Sequence, residues 1–225
     1  MNPTLDRLRN SFTDDRSGFL VAALARAYSE NVKRYLPSLG DDSTNFGLNV
    51  YKGKVHFLSL LEEHFPWIRV IQRNPFFRIQ LDDYFLSTYC AGHVSGIDPM
   101  EAFPNNRNRA GKLAEVNVQQ ATLWSPEEWD RTVRIHRDDS GCRELILNDV
   151  GNPVDGLLKV FIGVPIEVSD EGKISGWSTV LELWDRGTST LQIPVLPFGP
   201  DTPPENVTKF YPTLKEQGKT ETKEK

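Results

Sequence analysis

Residues 18–27 read GFLVAALARA, a run in which Arg26 is the sole charged side chain. It is about half the ~20 residues that a bilayer requires, so it must find an apolar environment inside the protein itself. Leu20, Leu24, Tyr28, Val32 and Tyr35 recur every three or four positions, which predicts a helix over residues 14–36. Its first half is apolar nearly all round, the mark of a central helix against which other elements must pack. Asp14, Asp15 and Ser17 are candidates for the N-cap, and the acids suit the positive end of the helix dipole. Pro37 and Gly40 end the helix.

The rest of the chain has to supply what packs on that helix. The segment GDDSTNFG, 40–47, reads as a loop. A second helix is predicted from about Val50 to His64, with Val55, Leu58, Leu61 and Phe65 as its apolar stripe. Gly53 weakens it and Pro66 stops it. The period then changes to two. WIRVIQ and FFRIQL alternate apolar and polar residues around RNP, which predicts a β-hairpin over 67–81. YFLSTYC, 84–90, fits a strand or a short helix. Weak helical spacing follows from a start near Ala110, and SPEEW, 125–129, carries the features of a helix start.

The second half is rich in β-branched and alternating runs. ELILND, LLKVFIGVPIEV and STVLELW read as strands, the last two joined through the hairpin signal SDEGKISG. STLQIPVLPF suits an edge strand, where proline is tolerated. With helices leading and strands arriving as hairpins, the expected fold is α+β, with N-terminal helices packed on a mostly antiparallel sheet. Residues 1–198 form the expected single domain, with 91–106 as the seam between its halves. Residues 199–225 are Pro-rich, then Lys/Glu-rich, and that composition buries too little surface to stay ordered.

Composition narrows the function. The chain has 38% hydrophobic and 25% charged residues, with a formal net charge of -5, which argues against a whole-protein electrostatic grip on nucleic acid. A local basic patch is still compatible with that charge. Cys90 and Cys142 fit a reduced compartment and no disulfide framework. The first ten residues have no apolar core, so we expect no secretory signal, no membrane partner and a cytoplasmic location. No phosphate-binding, dinucleotide, serine-nucleophile or His-Glu-x-x-His signature occurs, and we expect no prosthetic group and no metal centre.

Several local patterns are candidates for chemistry. His56 and His64 are eight apart on one predicted helix, roughly 80° from each other around it, which is poor ligand spacing. Arg131 and His136 share a spacing used by helical ribonucleases. Asp155 and Glu167 flank the strand GLLKVFIGVPI as carboxylates in a Mg²⁺-dependent nuclease hairpin would, with Lys159 or Lys173 substituting as the cation that positions water. The lysine expected two residues after the second acid is missing. The hairpin arginines Arg69, Arg73 and Arg78, with Phe76 and Phe77, have the chemistry to stack on single-stranded nucleic acid.

The segment CAGHVSGIDPMEAFPNNRNRAG, 90–111, is the strongest candidate. His93, Asp98, Asn105, Asn106, Arg107 and Arg109 concentrate donors beside a predicted helix start, where anions are favoured. The expected function is therefore a binding or regulatory module that recognises an anionic ligand or a protein partner. The alternatives are a phosphodiester-cleaving enzyme built on Asp155 and Glu167, and an accessory subunit that docks through a sheet edge at 190–198.

Overall fold

The computed structural model describes residues 5–72, 76–123 and 143–198, with 118–123 described as helical backbone only. The elements in chain order are α1 (Leu5–Ser11), α2 (Asp14–Arg34), a short 3-10 turn (Pro37–Leu39), α3 (Ser43–His64), β1 (Ile68–Gln72), β2 (Arg78–Leu81), β3 (Tyr84–Gly92), α4 (Arg107–Leu123), β4 (Arg143–Asn152), β5 (Gly156–Val168) and β6 (Ile174–Asp185). The strands form one sheet in sequence order, antiparallel throughout except where β3 runs parallel to β4. This is the expected α+β class, with one departure. The β3–α4–β4 unit is a strand–helix–strand crossover, because a parallel neighbour cannot be reached by a tight turn. That pairing joins the two halves of the chain in one continuous sheet.

Helices cover both faces. On one side α1, α2 and α3 bury Leu20, Leu24, Leu58 and Leu61 against Leu145, Leu147 and Ile162 of the sheet. On the other, α4 and the loop before it pack over Ile146, Phe161 and Trp177. The apolar run at 18–27 lies inside α2, whose residues Leu20 to Leu24 are all buried, as a central helix demands. Asp14 and Asp15 fall in the first turn of α2, whereas Thr13 is its N-cap. The Ser17 hydroxyl donates to the Phe12 carbonyl, 3.1 Å away.

Helix α3 begins seven residues before the predicted start, inside the expected loop. Asp42 caps it by accepting from the Asn45 amide at 2.8 Å, which turns a loop-like composition into a helix start. Gly53 has a packing reason. A Cβ there would come within 3.1 Å of the Ala27 Cβ, so Gly53 and Ala27 mark a close approach of α3 to α2.

Residues 190–198 are not the expected edge strand. They form an irregular strap whose Leu191, Leu196 and Phe198 pack against the helical core, and Phe198 stacks on Phe57 of α3. Pro194 and Pro197 lack the N–H that a ladder needs, and β6 is the outer strand. Among the described residues, no helix is long and apolar enough to cross a membrane. The predicted helix start at 125–129, Arg131, His136, Cys142 and the tail at 199–225 lie outside the described residues.

Candidate anion-binding site

Strand β4 sits between β3 and β5, and nine of its ten residues are buried. Its side chains alternate between the two helical layers. Leu145, Leu147 and Asp149 face α2 and α3, while Glu144, Ile146 and Asn148 face α4. Both faces therefore carry a buried acid or amide, and the two are treated in opposite ways.

On the α2/α3 side every polar atom of Asp149 is matched. Lys54 of α3 donates to Asp149 Oδ1 at 2.6 Å, and the Tyr28 hydroxyl of α2 donates to Oδ2 at 2.6 Å. The Lys54 and Asp149 side chains are 3% and 0% exposed. Burial, reinforced by the Asp149 carboxylate and then by Cys90, pushes the Tyr28 phenol well above its ordinary range. Burial likewise raises the neighbouring Cys90 thiol. Both Asp149 oxygens are thus engaged from within the fold, one by each helix.

The α4 side is different. Arg78 of β2 forms an ion pair with Glu144 Oε1 and lies 3.8 Å over the Phe85 ring. Phe85 is the register partner of Glu144 across β3 and β4, and Tyr89 is the partner of Asn148. Arg109, in the first turn of α4, reaches the same region and places its guanidinium over Phe76. Burial pushes the Tyr89 phenol up to about 12, opposed by the Arg109 guanidinium beside it. Burial also raises the Glu144 carboxyl, opposed first by Arg78 and more weakly by Arg109.

Four side chains from four elements thus converge: Arg78, Tyr89, Arg109 and Glu144. Buried atoms of three of them lack a hydrogen-bond partner, namely Arg78 Nε, Arg109 Nε and Glu144 Oε2, while the Tyr89 hydroxyl faces the Arg109 guanidinium. Asn148 Oδ1 on the same face is also unmatched. Each such atom costs about 1–3 kcal/mol unless something bonds it. The charges sum to one net positive, because Arg78 and Glu144 cancel and Arg109 remains. Among the described residues no acid forms an ion pair with Arg109 or Arg107, including Glu101 and Glu115.

Of the six residues expected to bind a ligand in the 90–111 segment, only Arg109 joins this cluster. Arg107 is exposed and stacks 4.9 Å over Phe103. Asn106 caps α4 by accepting from the Arg109 amide at 3.3 Å. The Asn105 amide donates to the Cys90 carbonyl at 2.9 Å. Asp98 accepts from the Met100 amide at 2.9 Å and shapes a turn. His93 Nδ1 lies 3.1 Å from the Gly151 carbonyl oxygen, which fixes the proton on that nitrogen. The loop as a whole is pinned. Phe103 stacks on Trp177, and the Trp177 indole donates to the Ala102 carbonyl at 3.2 Å. It is a strut that delivers Arg109.

The nuclease arrangement does not form. Asp155 precedes β5 and Glu167 lies near its far end, roughly 40 Å away along the strand at ~3.3 Å per residue. Lys159 is engaged elsewhere, 2.9 Å from Asp185 and 3.2 Å from Glu182. Among the described residues no group of three metal-ligating side chains is close enough to hold an ion. His56 and His64 face aromatic rings instead, Phe57 at 4.9 Å and Phe198 at 5.6 Å. The basic hairpin also does not present one surface. Phe77 is buried, Arg78 is spent on Glu144, and Arg73 is outside the described residues.

The sequence reading missed both Glu144 and the Tyr28–Asp149–Lys54 cluster. A signal for each existed. Lys54 stands four residues after Val50 and four before Leu58, on the apolar stripe of α3. Asp149 follows Leu145 and Leu147 at period two. A charge in an apolar register is the observation that calls for a partner. No family model, no curated protein and no solved structure matches this chain.

Proposed function

We propose that this chain is a binding module that takes an anionic ligand at the Arg78–Tyr89–Arg109–Glu144 cluster. The observation that carries the reading is the convergence of these four side chains, from three strands and one helix, with a buried unmatched polar atom on Arg78, Arg109 and Glu144. Two of the four are guanidiniums, each stacked on a phenylalanine ring. Stacking fixes a long flexible side chain before the ligand arrives, which lowers the ordering cost of binding. The single uncancelled positive charge suits one carboxylate or one phosphodiester better than a multiply charged phosphate. In a chain of net charge -5, such a site attracts anions only locally.

The test is thermal unfolding in a low-chloride buffer, with acetate, phosphate and a panel of small carboxylates as probes. A bound anion should raise the melting temperature, since a ligand bound only by the native state stabilises it. The effect should shrink as ionic strength rises. Arg107→Ala/Arg109→Ala should abolish it while leaving the unliganded chain folded, with a cooperative unfolding transition. An unchanged response in that variant would overturn the assignment of Arg109. A large loss of stability would instead make the arginines structural.

A further inference from the structure

We infer that the ligand of this site is a small zwitterion of the α-amino acid kind, its carboxylate meeting Arg109 and its ammonium group meeting Glu144; this rests on the anion-binding reading above and deepens it.

The argument is one of matching donors to acceptors. Glu144 is 6% exposed, and only one of its two carboxylate oxygens is engaged by Arg78. Oε2 is buried without a donor, and an ionised carboxylate can only accept. The unmatched atoms of Arg78 and Arg109 are the reverse, donors that need an acceptor. A ligand that is only an anion satisfies the arginines but adds a second negative charge near Glu144, because Arg109 is close enough to Glu144 to influence its protonation. A ligand that is only a cation meets Glu144 but faces the uncancelled charge of Arg109. A molecule carrying both charges on a short skeleton resolves both conflicts. Its ammonium group supplies a donor to Glu144 Oε2, and its carboxylate matches the planar fork of Arg109. The Tyr89 hydroxyl, able to donate and accept, can serve either end.

The experiment compares matched ligands on the full-length chain by titration calorimetry and thermal shift. Free α-amino acids are set against their N-acetyl derivatives, the corresponding deaminated carboxylates and the corresponding decarboxylated amines. Removing either charge should weaken binding at least about tenfold, the worth of one lost hydrogen bond to a charged group. Glu144→Gln should narrow the preference for the free ammonium over the N-acetyl form to under about threefold, on the same scale. Arg109→Ala should lose both. Should Glu144→Gln fail to fold, the matched ligands on the unaltered chain decide alone. Deaminated carboxylates that bind as tightly as the amino acids would overturn the zwitterion inference and leave the anion site standing. If no carboxylate, phosphate or amino acid raises the melting temperature, both fall.

Discussion

Asp149→Asn is the most informative single change to the core. It keeps the shape of the side chain and removes its charge. Lys54 then has an ammonium group at 3% exposure with no counter-charge, where it now has a carboxylate oxygen at 2.6 Å. Breaking a buried pair by removing one partner costs about 3–5 kcal/mol, because the other charge stays buried. The amide also has one acceptor oxygen for two donors, Tyr28 and Lys54, and its NH₂ group faces one of them. Against a typical domain stability of about 5–15 kcal/mol, the loss is large enough to read easily. The assay is urea unfolding at pH 7, followed by tryptophan fluorescence, with the slope checked for constancy.

The companion variant decides the mechanism. Tyr28→Phe/Lys54→Met/Asp149→Leu removes all three polar groups and leaves none unmatched. Exchanging a buried ionic cluster for apolar side chains of similar volume is often neutral or stabilising by about 1–4 kcal/mol. The triple variant should therefore be far more stable than Asp149→Asn. If Asp149→Asn costs less than about 1 kcal/mol, or the triple variant costs as much as the single, the charge-burial reasoning is refuted.

Three further changes test the rest of the structure. Leu24→Ala removes a fully buried side chain of α2 and should cost about 2–5 kcal/mol by urea unfolding; a loss below about 0.5 kcal/mol would displace α2 from the centre of the core. Gly163→Ala places a Cβ in steric clash with the Trp177 indole and should destabilise by about 1–3 kcal/mol, seen as a lower denaturation midpoint; an unchanged midpoint would refute the close β5–β6 packing. The Tyr89 phenol is raised in the folded chain, so folding favours its protonated form. Its contribution is intact below pH 10, the ordinary value, and is lost as pH rises toward about 12. Tyr89→Phe should flatten that part of an alkaline stability profile, and identical slopes in the two proteins would contradict the burial of Tyr89.

The fold was largely legible because its strongest signals are periodic. The 3.6-residue spacing through Leu20, Leu24 and Tyr28 located α2, and period-two alternation located β1, β2, β5 and β6. The start of α3 was not legible, since Asp, Ser and Asn both build turns and cap helices, and only the Asp42–Asn45 bond decides between them. The strand at 190–198 was misread for a related reason. Its apolar residues pack as well from an extended strap over the helices as they would from a strand. The β3–β4 crossover lay beyond local pattern, because parallel pairing joins residues about sixty positions apart in sequence. Of the candidate site, Arg109 was legible from its place beside a helix start. Glu144 was not, because its role depends on Arg78 arriving from β2, a strand whose pairing partner in the sheet had first to be known.

Strand β4 ties the stability of the core to the proposed recognition. Its alternation sends Asp149 toward α2 and α3 and Glu144 toward α4, so one rigid strand supports two polar clusters on opposite faces. The difference between them is the number of matched atoms. Asp149 receives a donor on each oxygen and acts as an internal tie between two helices and the sheet. Glu144 receives a donor on one oxygen only, beside an arginine with no acid of its own. A closed cluster gains nothing from a ligand. An incomplete one gains the bonds that the ligand completes, so binding and stabilisation of that face are the same event. A ligand that bridges Glu144 and Arg109 should accordingly raise protection of the β3, β4 and α4 amides that exchange by local opening, beyond the gain that every amide exchanging through global unfolding shares, α3 included. Equal protection gained by the locally opening amides of both faces would mean that the ligand stabilises the fold from somewhere other than this site.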